Sequence, residues 1–217
     1  MTAEPRVKAQ YSNHMYMALS LAIEAVTGHN LGDSFREALW HPLGMKSTYY
    51  GEKEAEKATE HLATGYRWDG NANKFESVPL DLLEMSAGAG AIASSTNDYA
   101  KWIQCLLQES DVLSKEAHAE IRKPGIIWGP SLDPHGDLTT YGKGWLRKLY
   151  HGQVIYSHGG GCSHGTEVYW LPGKKFGIVT MGNTYKTANF MGMILAHKLL
   201  DDKLGVAEGD RIPYRTM

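Results

Sequence analysis

The chain has 217 residues, of which 22 are basic and 24 acidic, and its formal net charge is −2. A domain of this length buries roughly 70% of the surface that its unfolded chain exposes, so residues 1–217 can form a single domain. The balanced charge gives no reason to expect a nucleic acid or an anionic membrane as partner. No run of about 18 apolar residues predicts a membrane span, and residues 1–10 lack the apolar centre of a signal peptide. The sequence as written therefore predicts a cytoplasmic protein without a membrane partner.

The first long element is an apolar helix. Residues 14–27 are apolar on nearly every side, which is typical of a buried helix. Ser12 or Asn13 can serve as its N-cap, and Gly28 is placed to end it. The sequence therefore predicts a buried helix that begins directly after Tyr11.

Shorter elements follow this helix. Residues 33–40 predict a second helix that stops at His41-Pro42, because proline disfavours helical geometry in the residue before it. Residues 51–83 are polar and mixed, and we expect them to be mostly irregular. A third helix starts at Ser95, which forms a capping-box-like pair with Asp98. Its apolar residues are Tyr99, Trp102, Ile103, Leu106 and Leu107.

The second part of the chain has a β pattern. Residues 123–137 are rich in proline and glycine and predict a loop. Strands are predicted at 144–150, 153–158, 166–171 and 176–181, with a hairpin turn at Pro172-Gly173. A terminal helix is predicted at 186–203, and its apolar face is formed by Met191, Ile194, Leu195 and Leu199.

Helices followed by antiparallel strands and a terminal helix indicate an α+β fold. We expect a mainly helical part at 1–135, and antiparallel strands plus the C-terminal helix at 136–217. Both parts belong to one domain in this prediction.

Two short motifs carry groups that are suited to chemistry. Tyr11-Ser12-Asn13 stands directly before the first helix, and His158-Gly159-Gly160 ends a predicted strand. Glycines at the end of a strand let a ligand lie against bare backbone, and the histidine adds a donor or a positive charge at that edge. Such an edge suits a carboxylate or an oxyanion. Taken alone, each motif is more typical of ordinary packing or of a turn.

Five blocks in order carry a more specific signal. They are "YSNHMYMALSLAIEAVTGHNLGDSFREALWHPLGMKSTYY", "LATGY", "GAGAIASSTNDYAKW", "YGKGW" and "HGG…EVYWLPGKKFGIVTMGN". Their order and spacing resemble the serine β-lactamase-related family, which holds class C β-lactamases, penicillin-binding proteins, D-alanyl-D-alanine carboxypeptidases, esterases and transacylases. The resemblance covers essentially the whole chain. It implies a β-lactamase/transpeptidase-like fold.

The resemblance also implies roles for single residues. Tyr11 is similar to the tyrosine that moves a proton between nucleophile and leaving group, and His158 to the first residue of the family's His-x-Gly strand. We therefore expect Tyr11 and His158 to be catalytic, and Asn13, Gly159 and Gly160 to bind substrate. A serine hydroxyl needs a neighbouring base, and a tyrosine can act as one only if nearby positive charge lowers its pKa. The implied substrate is a small ester or amide, and no cofactor or metal is implied.

The family's nucleophile motif, Ser-x-x-Lys, does not occur in these 217 residues. No serine has a lysine three places further on. Thr140 and Lys143 have the spacing with a threonine, but they lie in a block that corresponds to a strand of the family. In relatives the motif lies well upstream of the tyrosine loop, and we expect a fold that is incomplete at its N-terminus. The expected partners are therefore a missing N-terminal segment or a second copy of the chain.

Three weaker interpretations stay open. His158, Cys162 and His164 are zinc-ligand types at close spacing, but no fourth ligand is evident; Cys105 and Cys162, the only cysteines, otherwise fit reduced thiols. The glycines of "GAGAIA" loosely match a dinucleotide fingerprint without the strand that should precede it. Four aromatic residues fit either an acyl pocket or core packing: Trp68, Trp145, Tyr150 and Trp170.

The function that these patterns favour is that of a β-lactamase-related serine hydrolase or acyltransferase. Because the nucleophile motif is absent, we expect the chain to be inactive by itself. The alternatives are a non-catalytic binding or assembly protein that keeps the fold, and a truncated gene product.

Overall fold

The structure is a computed structural model that describes residues 3–4, 6–59, 61–80, 87–130 and 138–213. The described helices are α1 (Asn13–Thr27), α2 (Leu31–Phe35), α3 (His41–Leu43), α4 (Glu52–Ala58), α5 (Ala87–Gly90), α6 (Thr96–Gln108), α7 (Lys115–Arg122) and α8 (Thr187–Leu204). The described strands are β1 (Thr48–Tyr50), β2 (Gly65–Asp69), β3 (Lys74–Val78), β4 (Ile92–Ser94), β5 (Ile126–Pro130), β6 (Leu138–Gly142), β7 (Trp145–Tyr150), β8 (Gln153–Gly161), β9 (Gly165–Leu171) and β10 (Phe176–Gly182).

Strands β5 to β10 form one antiparallel sheet in the order β10-β9-β8-β7-β6-β5. Two of its turns place two successive residues at positive φ, Lys143 with Gly144 and His151 with Gly152. Such turns match the natural twist of a hairpin. Between β9 and β10 the left-handed residue is Lys175, and Gly173 does not adopt a positive φ there. The four predicted strands are all present and antiparallel.

Helices cover both faces of this sheet. Alternate residues of a strand point to opposite faces, so Ile155 and Tyr156 belong to different cores. The core beneath α8 contains Tyr150, Ile155, Tyr169, Leu171, Ile178, Ala196, Leu200 and Ile212. The core beneath α6 contains Ile103, Leu106, Trp145, Tyr156, Val168 and Trp170. The predicted α+β fold, with an antiparallel sheet packed on a C-terminal helix, is confirmed.

Helix α1 has the predicted limits but not the predicted burial. Ser12 is its N-cap, and Gly28 ends it at a φ of 74°. Ser20 is the one buried residue of the helix. Five of its large apolar side chains are exposed by 40 to 88%, and they are Met15, Leu19, Leu21, Ile23 and Val26. The prediction of a buried helix is therefore wrong for the described chain, because these side chains face no packed element.

The second predicted helix extends further than expected. It begins at Leu31, passes through a π-helical turn at Arg36–Trp40, and ends at Gly44, which has a φ of 67°. Pro42 does not stop it: Pro42 is the second residue of α3, which follows the π-helical turn directly.

The segment predicted as irregular, residues 51–83, contains regular structure. Helix α4 lies within it, and β2 and β3 pair as an antiparallel hairpin. Asp69 caps the hairpin turn, because its Oδ1 accepts the amide of Asn71 at 2.8 Å. The two strands are joined by the short loop 70–73, which contains Gly70, and a loop of this kind is a hairpin signal that the sequence prediction overlooked. Residues 81–83 of this prediction lie outside the described residues.

Two further predictions need correction near the sheet. Part of the predicted loop 123–137 is strand β5, and residues 131–137 of this prediction lie outside the described residues. Helix α8 is where we expected it, but its buried residues are Gly192, Ala196, His197, Leu200 and Asp201. The predicted apolar face is largely exposed, at 38 to 56% for Met191, Leu195 and Leu199.

In the part of the chain that the structure describes, no helix has both the length and the apolar character needed to cross a bilayer.

Candidate active site

The candidate site lies where the residues before α1 meet the end of β8. Tyr11 stands two residues before α1 and is half exposed, at 50%. Its ring centroid is 6.1 Å from that of His158 on β8. The structure thus brings together the two residues that were predicted to be catalytic, although they come from opposite ends of the chain.

The glycines of β8 form a local edge inside the sheet. On one side, residues from His158 to Gly161 pair with β9, down to Gly161 opposite Gly165. On the other side, pairing with β7 ends at Leu146 opposite Ser157. Within the described chain, the backbone of Gly159 and Gly160 therefore faces no strand on the β7 side. An extended ligand can add to such an edge through main-chain hydrogen bonds.

Two aromatic residues that were not predicted complete the wall of the site. Trp128 of β5 is 43% exposed, and its ring lies 6.4 Å from Tyr11 and 5.5 Å from Tyr141. The Tyr141 ring is also 5.9 Å from that of Tyr11. Tyr141 belongs to the block "YGKGW", which supported the family resemblance, so its motif was visible although its position in the site was not.

A chain of hydrogen bonds runs from α1 to β8. The Tyr16 hydroxyl lies 3.3 Å from the Tyr141 hydroxyl, which lies 3.3 Å from Nε2 of His158. Nδ1 of His158 lies 2.6 Å from the carbonyl oxygen of Gly159. Sequence reasoning missed Tyr16 because nothing in an apolar helix distinguishes this tyrosine from a packing residue.

The environment favours neutral groups at this site. Burial raises the pKa of Tyr11, and the neighbouring Tyr16 raises it further. Burial lowers the pKa of His158, and the hydrogen bond to Gly159 opposes this only in part. Burial also raises the pKa of Tyr141, together with Tyr16. The lowered pKa of His158 therefore favours the neutral form of its ring.

The face of β8 opposite His158 is held by α8. Asn189 of α8 donates from Nδ2 to the carbonyl oxygens of Gly160 at 2.9 Å and Thr166 at 3.0 Å. The same Nδ2 donates to Oε1 of Glu167 at 3.1 Å. A Cβ on Gly159 would lie only 2.5 Å from that Oε1, so the Glu167 carboxylate would have to shift to admit a side chain here. These contacts hold the glycine segment of β8 in place from the side of the sheet on which α8 packs.

Asn13 is the first residue of α1 and is partly buried. It therefore lies beside Tyr11 at the start of the helix, and its role in substrate binding stays a prediction. Ser12, between the two, makes no side-chain capping bond.

The residues considered for a zinc site and for an acyl pocket have structural contacts instead. Nε2 of His164 lies 2.9 Å from the carbonyl oxygen of Ala63, and its Nδ1 lies 3.0 Å from the Ser163 hydroxyl. Among the described residues, no group of three His, Cys, Asp or Glu side chains is arranged for a metal. Trp145, Tyr150 and Trp170 are buried in the sheet cores, and Trp68 packs on Phe75 in the β2–β3 hairpin.

Geometry alone therefore defines a sheet with an aromatic cluster and a glycine edge, flanked by a tyrosine loop that precedes a helix. The sequence profile described as Beta-lactamase matches residues 1–200. The chain belongs to the beta-lactamase family.

Relatives and solved structures agree with this assignment. The chain is 38% identical over 215 residues to an unguisins hydrolase of Aspergillus campestris. The matched region covers 98% of this chain and 40% of that protein. It is 28% identical to penicillin-binding protein 4* of Bacillus subtilis, over 73% of this chain and 36% of that protein. The octameric penicillin-binding protein homologue of Pyrococcus abyssi superposes with a TM-score of 0.77 at 23% identity, covering 92% of this chain and 44% of that one. A class C β-lactamase superposes with a TM-score of 0.69 at 18% identity, covering 90% and 58%.

The chain thus spans about two fifths of the length of the unguisins hydrolases that it matches. The solved structures fall below 25% identity and establish the fold, which is of the β-lactamase/transpeptidase type. The family profile and the hydrolases among the relatives place the chain in a β-lactamase-related hydrolase family.

Proposed function

We propose that this chain supplies two of the three active-site motifs of a serine hydrolase, the tyrosine loop and the His158 strand. The hydrolase cleaves an ester or amide through an acyl-serine intermediate. In this proposal Tyr11 transfers the proton of the serine, and the His158 strand holds the substrate. Asn13, Gly159 and Gly160 orient the substrate, and the reaction needs no cofactor. Transfer of the acyl group to an acceptor other than water follows the same steps.

One observation carries the proposal. Tyr11 and His158 lie with their rings 6.1 Å apart, directly beside the backbone edge of Gly159 and Gly160. A proton-transfer group and a main-chain binding edge are what acyl transfer requires next to a nucleophile. The relatives named as hydrolases and penicillin-binding proteins support the same chemistry.

The nucleophile in this proposal comes from sequence outside these 217 residues, since none of their serines has a lysine three places on. That lysine would also supply the charge that Tyr11 needs. Burial raises the pKa of Tyr11, and the neighbouring ring of His158 has a lowered pKa, so neither favours the phenolate. We therefore propose that the chain by itself is inactive.

Exposed apolar surface supports an additional polypeptide as the partner. Five large apolar side chains of α1 are exposed, and so are Met191, Leu195 and Leu199 of α8. Apolar surface of this kind is usually covered in a native protein. Strand β10 ends the sheet and has no further strand on its outer side among the described residues. A segment that bears Ser-x-x-Lys, or a second copy of the chain, is the partner that we propose for this surface. The relative from Pyrococcus abyssi is described as octameric.

Reconstitution tests the proposal. The chain is expressed together with the Ser-x-x-Lys segment of an intact relative, and hydrolysis of a chromogenic short-chain ester is recorded. We expect turnover and a covalent fluorophosphonate adduct on the serine of the added segment, detected by intact mass spectrometry. A matched segment with that serine changed to alanine should give neither. A folded complex without adduct or turnover would contradict the proposal.

The second candidate is a non-catalytic binding protein that keeps the fold. The absence of Ser-x-x-Lys in these residues favours it, because the glycine edge can hold a ligand without any nucleophile. Binding of small esters to the chain alone, without turnover on reconstitution, would favour this candidate over the first.

A further inference from the structure

The contacts of His158 fix which of its ring nitrogens carries hydrogen. Nδ1 lies 2.6 Å from the carbonyl oxygen of Gly159, and a carbonyl oxygen can only accept a hydrogen bond. Nδ1 is therefore the N–H group. In a neutral imidazole the other nitrogen, Nε2, is then an acceptor.

This assignment gives the neighbouring hydroxyls a direction. Tyr141 lies 3.3 Å from Nε2, so its hydroxyl must donate to that nitrogen. The oxygen of Tyr141 is then free to accept, and the Tyr16 hydroxyl at 3.3 Å donates to it. The chain of donors runs one way, from Tyr16 through Tyr141 to His158 and on to the Gly159 carbonyl.

We infer that Tyr141, supported by Tyr16, is a positioning residue that holds His158 as a neutral imidazole protonated at Nδ1. The part that this ring plays in catalysis rests on the proposed function, whereas its protonation state does not. The two hydroxyls act through His158 and need not contact the substrate.

The surroundings of the ring are consistent with a neutral state. Among the described residues, the titratable groups in contact with it are Tyr11 and Tyr141, with Tyr16 beyond Tyr141. Glu167 of β9 lies against Gly159, on the other face of the sheet. Burial lowers the pKa of His158 in addition.

The contacts of the His158 ring affect which class of substrate fits this edge. Both ring nitrogens are engaged, Nδ1–H by Gly159 and Nε2 by Tyr141. A carboxylate at this edge therefore meets neither a positive charge nor a free imidazole N–H. The site should favour substrates with an uncharged group at this position over those with a carboxylate.

NMR of the whole chain labelled with ¹⁵N-histidine tests the inference without any need for turnover. A His158→Gln variant identifies the His158 signals among the ten histidines. Above the pKa, Nδ1 should show an attached proton and Nε2 should have the shift of an unprotonated nitrogen. In Tyr141→Phe the neutral ring loses a hydrogen bond, so its proton affinity should rise roughly fivefold, which is about 1 kcal/mol at 1.36 kcal/mol per tenfold.

Two matched variants complete the experiment. Tyr16→Phe should raise the proton affinity of His158 by less than Tyr141→Phe does, because it only weakens the donor. Tyr156→Phe removes a hydroxyl on the same strand, β8, that donates to the Arg122 carbonyl of α7, and it should leave His158 unchanged. If Tyr141→Phe does not fold, the native spectrum and Tyr16→Phe still decide the matter.

A native ring protonated at Nε2, or a proton affinity that neither Tyr141→Phe nor Tyr16→Phe changes, would overturn the inference. The predicted spectra combined with an inactive reconstituted complex would instead overturn the proposed function and leave the inference standing.

Discussion

A single methyl group at Gly88 should separate α1 from α5. A Cβ on Gly88 would lie well inside van der Waals contact of Ser20 Oγ and of the Tyr16 carbonyl oxygen, and 3.1 Å from the carbonyl carbon. Ser20 cannot simply turn away, because its hydroxyl donates to that same carbonyl at 2.8 Å. In Gly88→Ala the backbone of α1 must therefore move.

The expected loss can be estimated from these contacts. Overpacking against a backbone carbonyl destabilises by about 1–3 kcal/mol, and loss of the Ser20 hydrogen bond adds about 1 kcal/mol. The better helix propensity of alanine returns at most about 1 kcal/mol. We therefore expect a net destabilisation of about 1–3 kcal/mol. Because α1 carries Tyr16 and begins two residues after Tyr11, the aromatic site should be disturbed as well.

Urea unfolding followed by circular dichroism measures this loss. The control is Gly209→Ala, because a Cβ on Gly209 meets nothing within 4 Å and its φ is not positive. The control should change the free energy of unfolding by less than about 0.5 kcal/mol. If Gly88→Ala is as stable as the control, the packing of α1 on α5 has been described incorrectly.

Two further predictions concern the surface and a buried carboxylate. The exposed apolar side chains of α1 should make the chain self-associate in light scattering, and Leu19→Glu with Val26→Glu should shift it toward monomer; a native chain that is monomeric at all concentrations would contradict this. Burial opposes ionisation of Asp98, but hydrogen bonds from Lys101 and the Ser47 amide hold its pKa below the ordinary value. A carboxyl whose pKa falls on folding stabilises the folded state at pH values above its unfolded pKa of about 3.9. This stabilisation is lost as the pH falls through the folded pKa. Asp98→Asn should therefore flatten the acid side of the stability curve, and an unchanged curve would refute the assignment.

Local rules predicted much of the fold, because they act through neighbours in sequence. Ser95 caps α6 through the Asp98 amide, as expected of a capping box, and Gly28 ends α1 in the left-handed conformation. Burial could not be predicted in the same way, because it depends on which elements pack together. The prediction for α8 illustrates this, because it named the wrong face of the helix. The buried face contains the small residues Gly192 and Ala196, which let the helix pack closely against the sheet.

The candidate site was predictable only where a motif marked it. Tyr11 and His158 stood in recognisable blocks, and the structure brings them together. Tyr16 lies in α1, and Trp128 lies in β5, a strand within a segment that was predicted to be a loop. Nothing in the sequence indicated that they share a cluster with Tyr141. Their assembly depends on the register of β5 and β6 and on the position of α1, which are properties of tertiary packing.

Tyr11 is the proton-transfer group beside His158 in the proposed mechanism, and this role is its central claim. The most direct test is ester turnover by the reconstituted protein with Tyr11→Phe, compared with the native Tyr11. Phenylalanine keeps the ring contacts to Trp128 and Tyr141 and removes one oxygen. We expect turnover to be abolished while circular dichroism and unfolding stay unchanged, since the ring is half exposed and its packing is kept. Undiminished turnover by the Tyr11→Phe protein would contradict the central claim.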